Sequence, residues 1–323
     1  MLLKWIVRGL MTHLPGPSRC EPESEEGAVF ARYCYSVWLR HLVMAARHGL
    51  PTCPEIVAEL GPGDSLGVAI AAILSGVREY YAFDVVEYAR NENNLRVLDE
   101  CIRLFASRAE IPGDEEFPKL CPRLDSYAFP SDVLTGERLA RSLNPNRIRT
   151  LRQLLTSGAS ADTEQLSLAY CVPWTAGGCL RANSVDMVVS QAVLEHVDDL
   201  DATYRCLNRW LKPRGVMSHV IDFKSHGITR AWNGHWVISD LTWKMIRGRR
   251  PYLLNRQPHS AHLELLAANG FEIVADMRGT SHSPIRRKNL ARRFRSMTDD
   301  DFVTSEAFVQ AVKTAPHVVG GPM

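Results

Sequence analysis

Apolar positions along this chain follow two different periods. Short, nearly continuous apolar runs, which are typical of buried strands, occur at residues 55–60, 79–84, 166–171, 185–190, 215–222 and 271–276. Segments with apolar residues at helical spacing lie between them, at residues 65–75, 87–104, 199–211 and 260–269. Strands that alternate with helices in this way predict an α/β fold: a doubly wound, mainly parallel sheet with helices on both faces.

Other segments flank or interrupt this alternation. A helix is predicted over residues 28–49, before the first strand, and another over residues 299–313, where three aspartates favour a helix start. An insertion of residues 90–165 separates the second and third strands, with a proline-rich loop over 109–131 and one or two short helices over 139–155. The predicted division is an N-terminal helical extension (1–50), a main domain (51–280) and a C-terminal helical tail (281–323).

The composition is that of an ordinary globular protein that can bury a full core. The chain has 323 residues, 46% apolar and 23% charged, with a formal net charge of +2. Because the charges nearly balance, we expect no nucleic-acid partner. Eight cysteines are scattered without a Cys-x-x-Cys pair, which predicts free thiols and a reducing, cytoplasmic location. The chain has no run of 18 apolar residues, so no transmembrane helix is expected.

Two charged segments leave alternatives open. Residues 1–11 combine apolar side chains with Lys4 and Arg8, so this segment can pack on its own domain or lie on a membrane surface. The basic cluster of residues 286–295 suits a solvated surface, a nucleic acid or a membrane. The aspartates at 299–301 follow at once and would partly neutralise it.

The most informative motif joins the first strand to the next helix. Gly61 and Gly63 permit a sharp turn and leave no side chain where a ligand approaches, while the following helix directs its first amides at that ligand. Asp84 ends the second strand, 21 residues after Gly63. A carboxylate at this place can accept hydrogen bonds from both hydroxyls of a ribose. The pair of features predicts a ribose-containing ligand, whereas the glycines alone would also fit a simple tight turn.

Two further motifs follow in the chain. The four motifs are Glu59-x-Gly61-x-Gly63, the strand-ending Asp84, the fourth-strand segment 184–197 and the turn 207–217 before the fifth strand. Their order resembles the class I S-adenosylmethionine-dependent methyltransferases, of the type 11/12 kind. The resemblance covers residues 55–222 and implies a Rossmann-like fold that binds S-adenosyl-L-methionine. Arg214 departs from it, because the family usually has glycine there, and so does the long insertion.

The same resemblance implies which residues bind the cofactor, just beyond the carboxyl ends of the strands. They are Glu59, Gly61, Pro62, Gly63, Asp84, Val85, Cys171, Val172, Ser190 and Gln191. Glu59 would lie near the amino group of the cofactor and the glycine turn along its methionine part. Val85, Cys171 and Val172 would lie against the adenine.

The segment after the fifth strand suggests where an acceptor binds. Histidine, aspartate and asparagine interleave there with tryptophans, which suits a saccharide or another small molecule with hydroxyl groups. The predicted substrate residues are His219, Trp232, Asn233, His235, Trp236 and Arg256. The same segment can instead be a structural cap over the sheet, and Arg256 a solvated surface residue.

Three residues are candidates for acid–base chemistry: His226, Asp222 and His196. Alternation along the fifth strand places Asp222, and then His226, at the exit of the strand and facing the predicted pocket. His196 follows the fourth strand and can equally be a packing residue. The spacing of the histidines at 219, 226 and 235 fits no standard metal site, so no metal is expected.

These features predict an S-adenosylmethionine-dependent methyltransferase that acts on an oxygen or nitrogen of a small-molecule acceptor, with a saccharide as the leading candidate. Two alternatives share some of the motifs. An NAD-dependent oxidoreductase would need a glycine at position 66 rather than Gly67, and the later motifs would have no role in it. A protein that binds the cofactor without turnover would lack an acceptor pocket around residues 219–236.

Overall fold

The computed structural model describes residues 2–12, 27–87, 89, 91–157, 162–163, 166–174, 180–250 and 252–315. The α-helices in these ranges are α1 (Leu2–Met11), α2 (Gly27–Arg47), α3 (Gly67–Leu74), α4 (Asn91–Ala106), α5 (Gly136–Ser142), α6 (Pro145–Ser157), α7 (Leu200–Trp210), α8 (Asp240–Arg247), α9 (His259–Ala268) and α10 (Asp299–Val303). The strands are β1 (Ile56–Leu60), β2 (Glu79–Phe83), β3 (Asp162–Thr163), β4 (Leu166–Cys171), β5 (Val185–Gln191), β6 (Leu211–Asp222), β7 (Phe271–Thr280) and β8 (Thr304–Lys313). All six predicted strands are confirmed, and β4 has the predicted bounds.

The strands form one eight-stranded sheet in the order β3-β4-β2-β1-β5-β6-β8-β7. The central strands β4, β2, β1, β5 and β6 run parallel to one another. The short β3 pairs antiparallel with β4, and β8 pairs antiparallel with both of its neighbours. The predicted mainly parallel sheet is therefore confirmed. The carboxyl ends of its five central strands meet at one edge, where open α/β sheets bind their ligands.

Apolar side chains cover both faces of the sheet. On one face, Trp38 of α2, Ile70 of α3 and Leu98 of α4 belong to one buried cluster. On the other face, Tyr204 of α7 and Leu266 of α9 belong to a second cluster. Helix α3, which follows the glycine turn, is buried along its whole length. The predicted arrangement of helices on both faces is confirmed, and it holds the glycine turn between packed layers.

The prediction of a helix over residues 299–313 is wrong. Helix α10, whose first turn is capped by the side chain of Thr298, ends at Val303, and the chain then continues as β8 between β6 and β7. Phe308 packs in the first apolar cluster and Val309 in the second. A strand buried on both faces is apolar at successive positions, so its sequence does not show the alternation of a half-buried strand. The predicted helical tail thus contains a strand of the sheet, while the division into three parts stays a prediction.

Strand β6 begins four residues before its predicted start, and the early part contains an irregularity. Its pairing with β5 shifts register between Val185 and Met187, opposite the Pro213–Gly215 turn. Arg214 has a left-handed backbone there, with φ of 66°. Glycine adopts this conformation without the steric cost that a side chain brings. Arg214, which stands where the family usually has glycine, therefore has a strained backbone.

The two helical segments before β1 are both attached to the rest of the fold. Helix α1 lies against α8, and a side chain at Gly9 would overlap the carbonyl oxygens of Met245 and Ile246. Trp5 and Ile6 pack against a small apolar cluster around Trp243. This contact favours packing on the domain for residues 1–11, one of the two alternatives. No helix in the described part of the chain is long and apolar enough to cross a bilayer.

The insertion packs against α2 through one buried cation. The Arg40 guanidinium donates hydrogen bonds to the carbonyl oxygens of Pro112, Leu120 and Pro122, at 3.1, 2.9 and 2.5 Å. The predicted loop over 109–131 has no helix or strand, and α5 and α6 are the two predicted short helices. Since its backbone carbonyls are bound to a fully buried side chain, this loop is a fixed wall of the domain.

Candidate functional site

The glycine turn after β1 has the backbone that its sequence predicts. Gly61 and Gly63 are left-handed, with φ of 65° and 70°, and the Gly61 amide donates a hydrogen bond to Phe83 O at 2.8 Å. A side chain at Gly61 would overlap Val193, which follows β5. A side chain at Gly63 would meet no atom within 4 Å. The turn is thus tightly packed at Gly61 and open at Gly63, as a ligand cradle requires.

Asp84 lies at the end of β2 and faces this turn. Its side-chain Oδ1 accepts a hydrogen bond from the Val85 amide at 2.7 Å, although the residue is only 9% exposed. Burial raises the pKa of Asp84, and hydrogen bonds from the amides of Val85, Val86 and Gly63 oppose that rise only in part. A carboxylate that burial still disfavours would be stabilised by further donors, such as the hydroxyls of a ribose.

Glu59 lies near the end of β1, close enough for the charge of Asp84 to affect it. Its Oε2 accepts a hydrogen bond from the Tyr80 hydroxyl at 2.9 Å. Burial raises the pKa of Glu59 to about 8, against the effect of Tyr80 and with a smaller contribution from the charge of Asp84. The carboxyl group is therefore neutral near pH 7 and would become ionised beside a bound cation. The positive charges of S-adenosylmethionine fit this pair of acidic groups.

The remaining predicted cofactor residues line the same edge. Cys171 and Val172 are half-buried at the end of β4, and Cys171 O accepts a hydrogen bond from the Asp84 amide at 3.2 Å. Val85 is 41% exposed beside them. Gln191 is half-buried at the end of β5, whereas the Ser190 hydroxyl is buried against His219 Nδ1 at 2.7 Å. All but Ser190 are placed where a ligand over this edge could reach them.

Asp222 and His226 lie at the exit of β6, as the alternation predicts. The His226 Nε2 and Asp222 Oδ2 atoms are 3.4 Å apart, and the His226 side chain is 34% exposed. Burial opposes ionisation of Asp222, but hydrogen bonds and charges from His226 and Lys224 lower its pKa overall. His226 has a left-handed backbone, with φ of 46°. Such strain in a residue other than glycine is characteristic of functional positions.

His196 approaches this pair from the end of β5. It lies on the 3-10 turn Leu194–His196, and its ring centroid is 5.0 Å from that of His226. Burial, and secondarily the charge of His226, lower the pKa of His196 to about 4. The turn is held by Asn255, whose side chain donates to Leu194 O at 2.7 Å and Val197 O at 2.9 Å. The structure thus brings together the three predicted acid–base residues.

The predicted substrate residues are mostly not accessible. Five of the six are buried: His219, Asn233, His235, Trp236 and Arg256. Arg256 donates to Ile238 O at 2.7 Å and to the Asp240 carboxylate at 2.5 Å, so its cation holds the segment together. Trp232 is half-buried, and its indole nitrogen donates to His282 O at 2.9 Å. The five buried side chains cannot contact an acceptor in this conformation, which favours the structural cap over a sugar-binding surface.

Comparison with known proteins agrees with this site. Residues 161–218 match the sequence model of a family described as a methyltransferase domain. The matched segment runs from β3 through the first part of β6, so this part of the sheet is similar to a methyltransferase domain. The match agrees with the four sequence motifs, which resemble those of S-adenosylmethionine-dependent methyltransferases. No curated protein sequence matches the chain.

Several solved structures are similar to this chain. An S-adenosylmethionine-dependent methyltransferase of Mesorhizobium loti has 16% sequence identity and a TM-score of 0.42, over 84% of this chain and 98% of that one. One of Methanosarcina mazei has 13% identity and a TM-score of 0.43, over 83% of this chain and 96% of that one. Phosphoethanolamine N-methyltransferase 2 of Haemonchus contortus, in complex with S-adenosyl-L-methionine, has 16% identity and a TM-score of 0.42. That match covers 89% of this chain and 57% of the other.

The strand order of the sheet also argues against a nicotinamide enzyme. In the dinucleotide-binding fold, a sixth strand continues the mostly parallel sheet beyond the fifth. Here that place beside β6 is taken by the antiparallel β8. Two of the motifs shared with methyltransferases, around β5 and before β6, border this part of the sheet.

Alanine substitution at Gly61 and at Gly63, the two glycines of the glycine turn, should have different effects. Gly61→Ala should lower the free energy of unfolding by about 2–4 kcal/mol, because it adds left-handed strain and an overlap with Val193. Gly63→Ala should cost only about 1 kcal/mol, since it adds strain without an overlap. Gly63→Ala should nevertheless weaken S-adenosylmethionine binding, because its new methyl group enters the open cradle. Urea denaturation and calorimetric titration measure the two effects, and equal destabilisation by both variants would contradict the packing described.

Sequence reasoning did not assign a role to three residues of the site. Tyr80 binds Glu59, Asn255 holds the 3-10 turn, and Glu195 lies between His196 and the end of β6. The position of Glu195 directly before His196 was the one signal available for it. Its burial, and the presence of His226 nearby, depend on the packing of separate strands.

Proposed function

We propose that the methyltransferase domain transfers a methyl group to an oxygen or nitrogen of a small-molecule acceptor bound over the carboxyl ends of β5 and β6. The Asp222–His226 pair carries this proposal. It joins a partly exposed imidazole to a carboxylate whose pKa is lowered, at the edge of the sheet that holds the cofactor turn. An imidazole there is suited to accept a proton from a hydroxyl or ammonium group.

Each residue of the pair has a distinct part in the proposed reaction. S-adenosylmethionine supplies a methyl group already activated by its sulfonium, so the domain needs chiefly to align the acceptor with it. His226 accepts the proton that the acceptor loses as it becomes methylated. Asp222 orients the imidazole and stabilises its protonated form. His196, with its pKa near 4, stays neutral and forms the wall beside His226.

The structure removes the main argument for a saccharide as the acceptor. That suggestion rested on the interleaved tryptophans and histidines, of which Trp236 and His235 are buried. The acceptor class that the accessible groups support is a small hydroxyl- or amine-bearing molecule. The nearly balanced charge supports a small molecule over a nucleic acid. The six described cysteines are free thiols, which supports the proposal of a cytoplasmic enzyme.

His226→Ala should retain S-adenosylmethionine binding and lose turnover, because it removes the proton acceptor and leaves the glycine turn and Asp84 unchanged. The expected fall in kcat is about 10²–10⁴-fold. A panel of small hydroxyl and amine compounds with methyl-labelled cofactor identifies an acceptor, and calorimetric titration then compares cofactor binding by wild type and variant.

His282→Ala is the matched control, since His282 is exposed and lies outside the site. Its turnover should equal that of the wild type. Full turnover in His226→Ala with an accepted substrate would refute the role of this imidazole. Failure of every small acceptor, with intact cofactor binding, would favour a domain that binds the cofactor without turnover.

A further inference from the structure

Glu195, His196 and His226 form a cluster of three metal-ligating side chains, here called the Glu–His–His cluster. One ligand atom from each lies within 4.8 Å of the other two. A bound zinc ion holds its nitrogen and oxygen ligands at about 2.0–2.2 Å, which spaces them by up to about 4 Å. Small side-chain rotations would therefore bring all three onto one ion.

Glu195 is the observation that points to a ligand. The residue is 3% exposed, yet neither carboxylate oxygen has a hydrogen-bond partner. Burial, with a smaller contribution from the charge of Asp222, raises the pKa of Glu195 well above the ordinary value. The nearby amides of Glu195 and Asp222 and the charge of Lys224 oppose that rise only in part. Buried carboxylates in proteins are paired with cations or coordinate metals, because an unpaired one is costly. Glu195 has neither partner within the described residues.

His196 is prepared to act as a ligand through its other nitrogen. Its Nδ1 lies 2.9 Å from Tyr252 O, a contact that requires this nitrogen to carry the proton. The Nε2 atom is then unprotonated and has a free lone pair. Metal-binding histidines almost always donate their second ring N–H to a carbonyl or carboxylate in this way. Asn255 fixes the turn on which both Glu195 and His196 lie.

His226 completes the cluster from the opposite side. Its Nε2 lies 3.4 Å from Asp222 Oδ2, so one ring nitrogen faces a carboxylate and the other remains for a ligand bond. Lys224 Nζ donates a hydrogen bond to the other oxygen of Asp222, Oδ1, at 3.2 Å, which keeps that carboxylate in place. His226, whose left-handed backbone is strained, is the solvent-exposed member of the cluster.

We propose that the Glu–His–His cluster binds one divalent transition-metal cation of the zinc class. Two imidazoles and one carboxylate are donors that such ions prefer, whereas magnesium and calcium prefer sites built from oxygen alone. Three protein ligands leave at least one coordination position open towards solvent. An acceptor hydroxyl bound there would lose its proton more readily, since the cation stabilises the resulting anion.

This inference deepens the proposed function and depends on it only for the role of the cation, not for its binding. With the ion bound, His226 is a ligand, and the proton leaves a cation-bound hydroxyl for solvent. Without the ion, His226 is the base of the reaction proposed above. The two roles of His226 are distinguished by removing the cation.

Zinc binding to the full chain tests the inference without any acceptor. Protein freed of metal with a chelator, and then freed of the chelator, is titrated with Zn²⁺ against a chromophoric competitor. One site of micromolar affinity or tighter is expected in the wild type. Glu195→Gln should weaken it by more than about 100-fold, because loss of even an outer-shell partner costs 10–100-fold. His226→Ala, a change at an exposed position, should have a similar effect and tests the cluster should Glu195→Gln fail to fold.

Glu59→Gln is the matched control. It alters another buried glutamate at the carboxyl edge, outside the cluster, and should bind Zn²⁺ like the wild type. Equal Zn²⁺ affinity in all variants would assign the ion to surface histidines and overturn the inference, as would the lack of a site tighter than millimolar. If Zn²⁺ binding fails these tests while methyl transfer persists in chelator, the proposed function stands and the cation alone is rejected.

Discussion

Asp84→Ala should abolish measurable S-adenosylmethionine binding while the domain remains folded. The carboxylate is the group at the end of β2 that can accept hydrogen bonds from a ribose, and burial leaves it in need of such donors. Hydrogen bonds to a charged acceptor contribute about 1.5–3 kcal/mol each. Loss of two of them corresponds to a fall in affinity of about 10²–10⁴-fold.

Calorimetric titration of wild type, Asp84→Ala and Asp84→Asn measures this effect. Asn keeps the shape and one acceptor oxygen, so its affinity should lie between the other two. Circular dichroism checks that each variant is folded. Normal binding by Asp84→Ala would show that the ribose is held elsewhere and that the cofactor turn is wrongly placed.

Acidification should destabilise the protein steeply below about pH 6. Burial lowers the pKa of four histidines to about 3: His41, His219, His235 and His262. An unfolded chain protonates these side chains near pH 6.5, so between pH 6.5 and 3 the unfolded state binds more protons than the folded state. Folding stability therefore falls as the pH falls through this range.

Two buried carboxyl groups act in the opposite sense. The raised pKa values of Glu59 and Glu195 keep them protonated in the folded, metal-free protein at pH values where the unfolded chain has lost those protons. His196, whose pKa burial lowers to about 4, is a fifth histidine that stays neutral in the folded protein near pH 5.5. The net difference there is between about two and three protons, or about 3–4 kcal/mol for each pH unit. Over two or three pH units, this slope equals most of the free energy of unfolding of an ordinary domain.

Urea denaturation at a series of pH values between 7.5 and 5 measures the slope. His262→Gln should reduce it by about one proton, since it removes one of the four buried imidazoles. His282→Gln changes an exposed histidine and should leave the slope as in the wild type. A stability that is constant down to pH 5 would contradict the burial of these histidines in their neutral form.

Much of the cofactor half of the site was predictable from sequence. Strands β1, β2, β4 and β5 are buried in a parallel sheet, so they appear in the sequence as short apolar runs with glycine or acidic residues at their ends. The turn at Gly61 and Gly63, and the carboxylate of Asp84, follow from local sequence because backbone conformation and strand order place them. Those features need no knowledge of distant packing.

The acceptor half was less predictable, for a physical reason. His235 and His226 are both histidines after β6, yet one is buried and the other exposed, and only the packing of residues 228–256 decides which. Helix and strand were likewise confused at residues 304–313, whose apolar positions suit either element. Tertiary context selected the strand because, without it, β7 has no partner among the described strands and one edge of β6 is unpaired.

The position of β8 also sets the order in which the sheet can be assembled during synthesis. Strand β7 leaves the ribosome first, but β8 is its only neighbour among the described strands. The pairing of Val216 with Val312 spans nearly a third of the chain, and contacts so distant in sequence form slowly. Until residues 304–313 emerge, one edge of β6 presents unpaired backbone groups that can recruit other chains. The nascent protein therefore passes through an aggregation-prone interval, which ends when β8 inserts between β6 and β7.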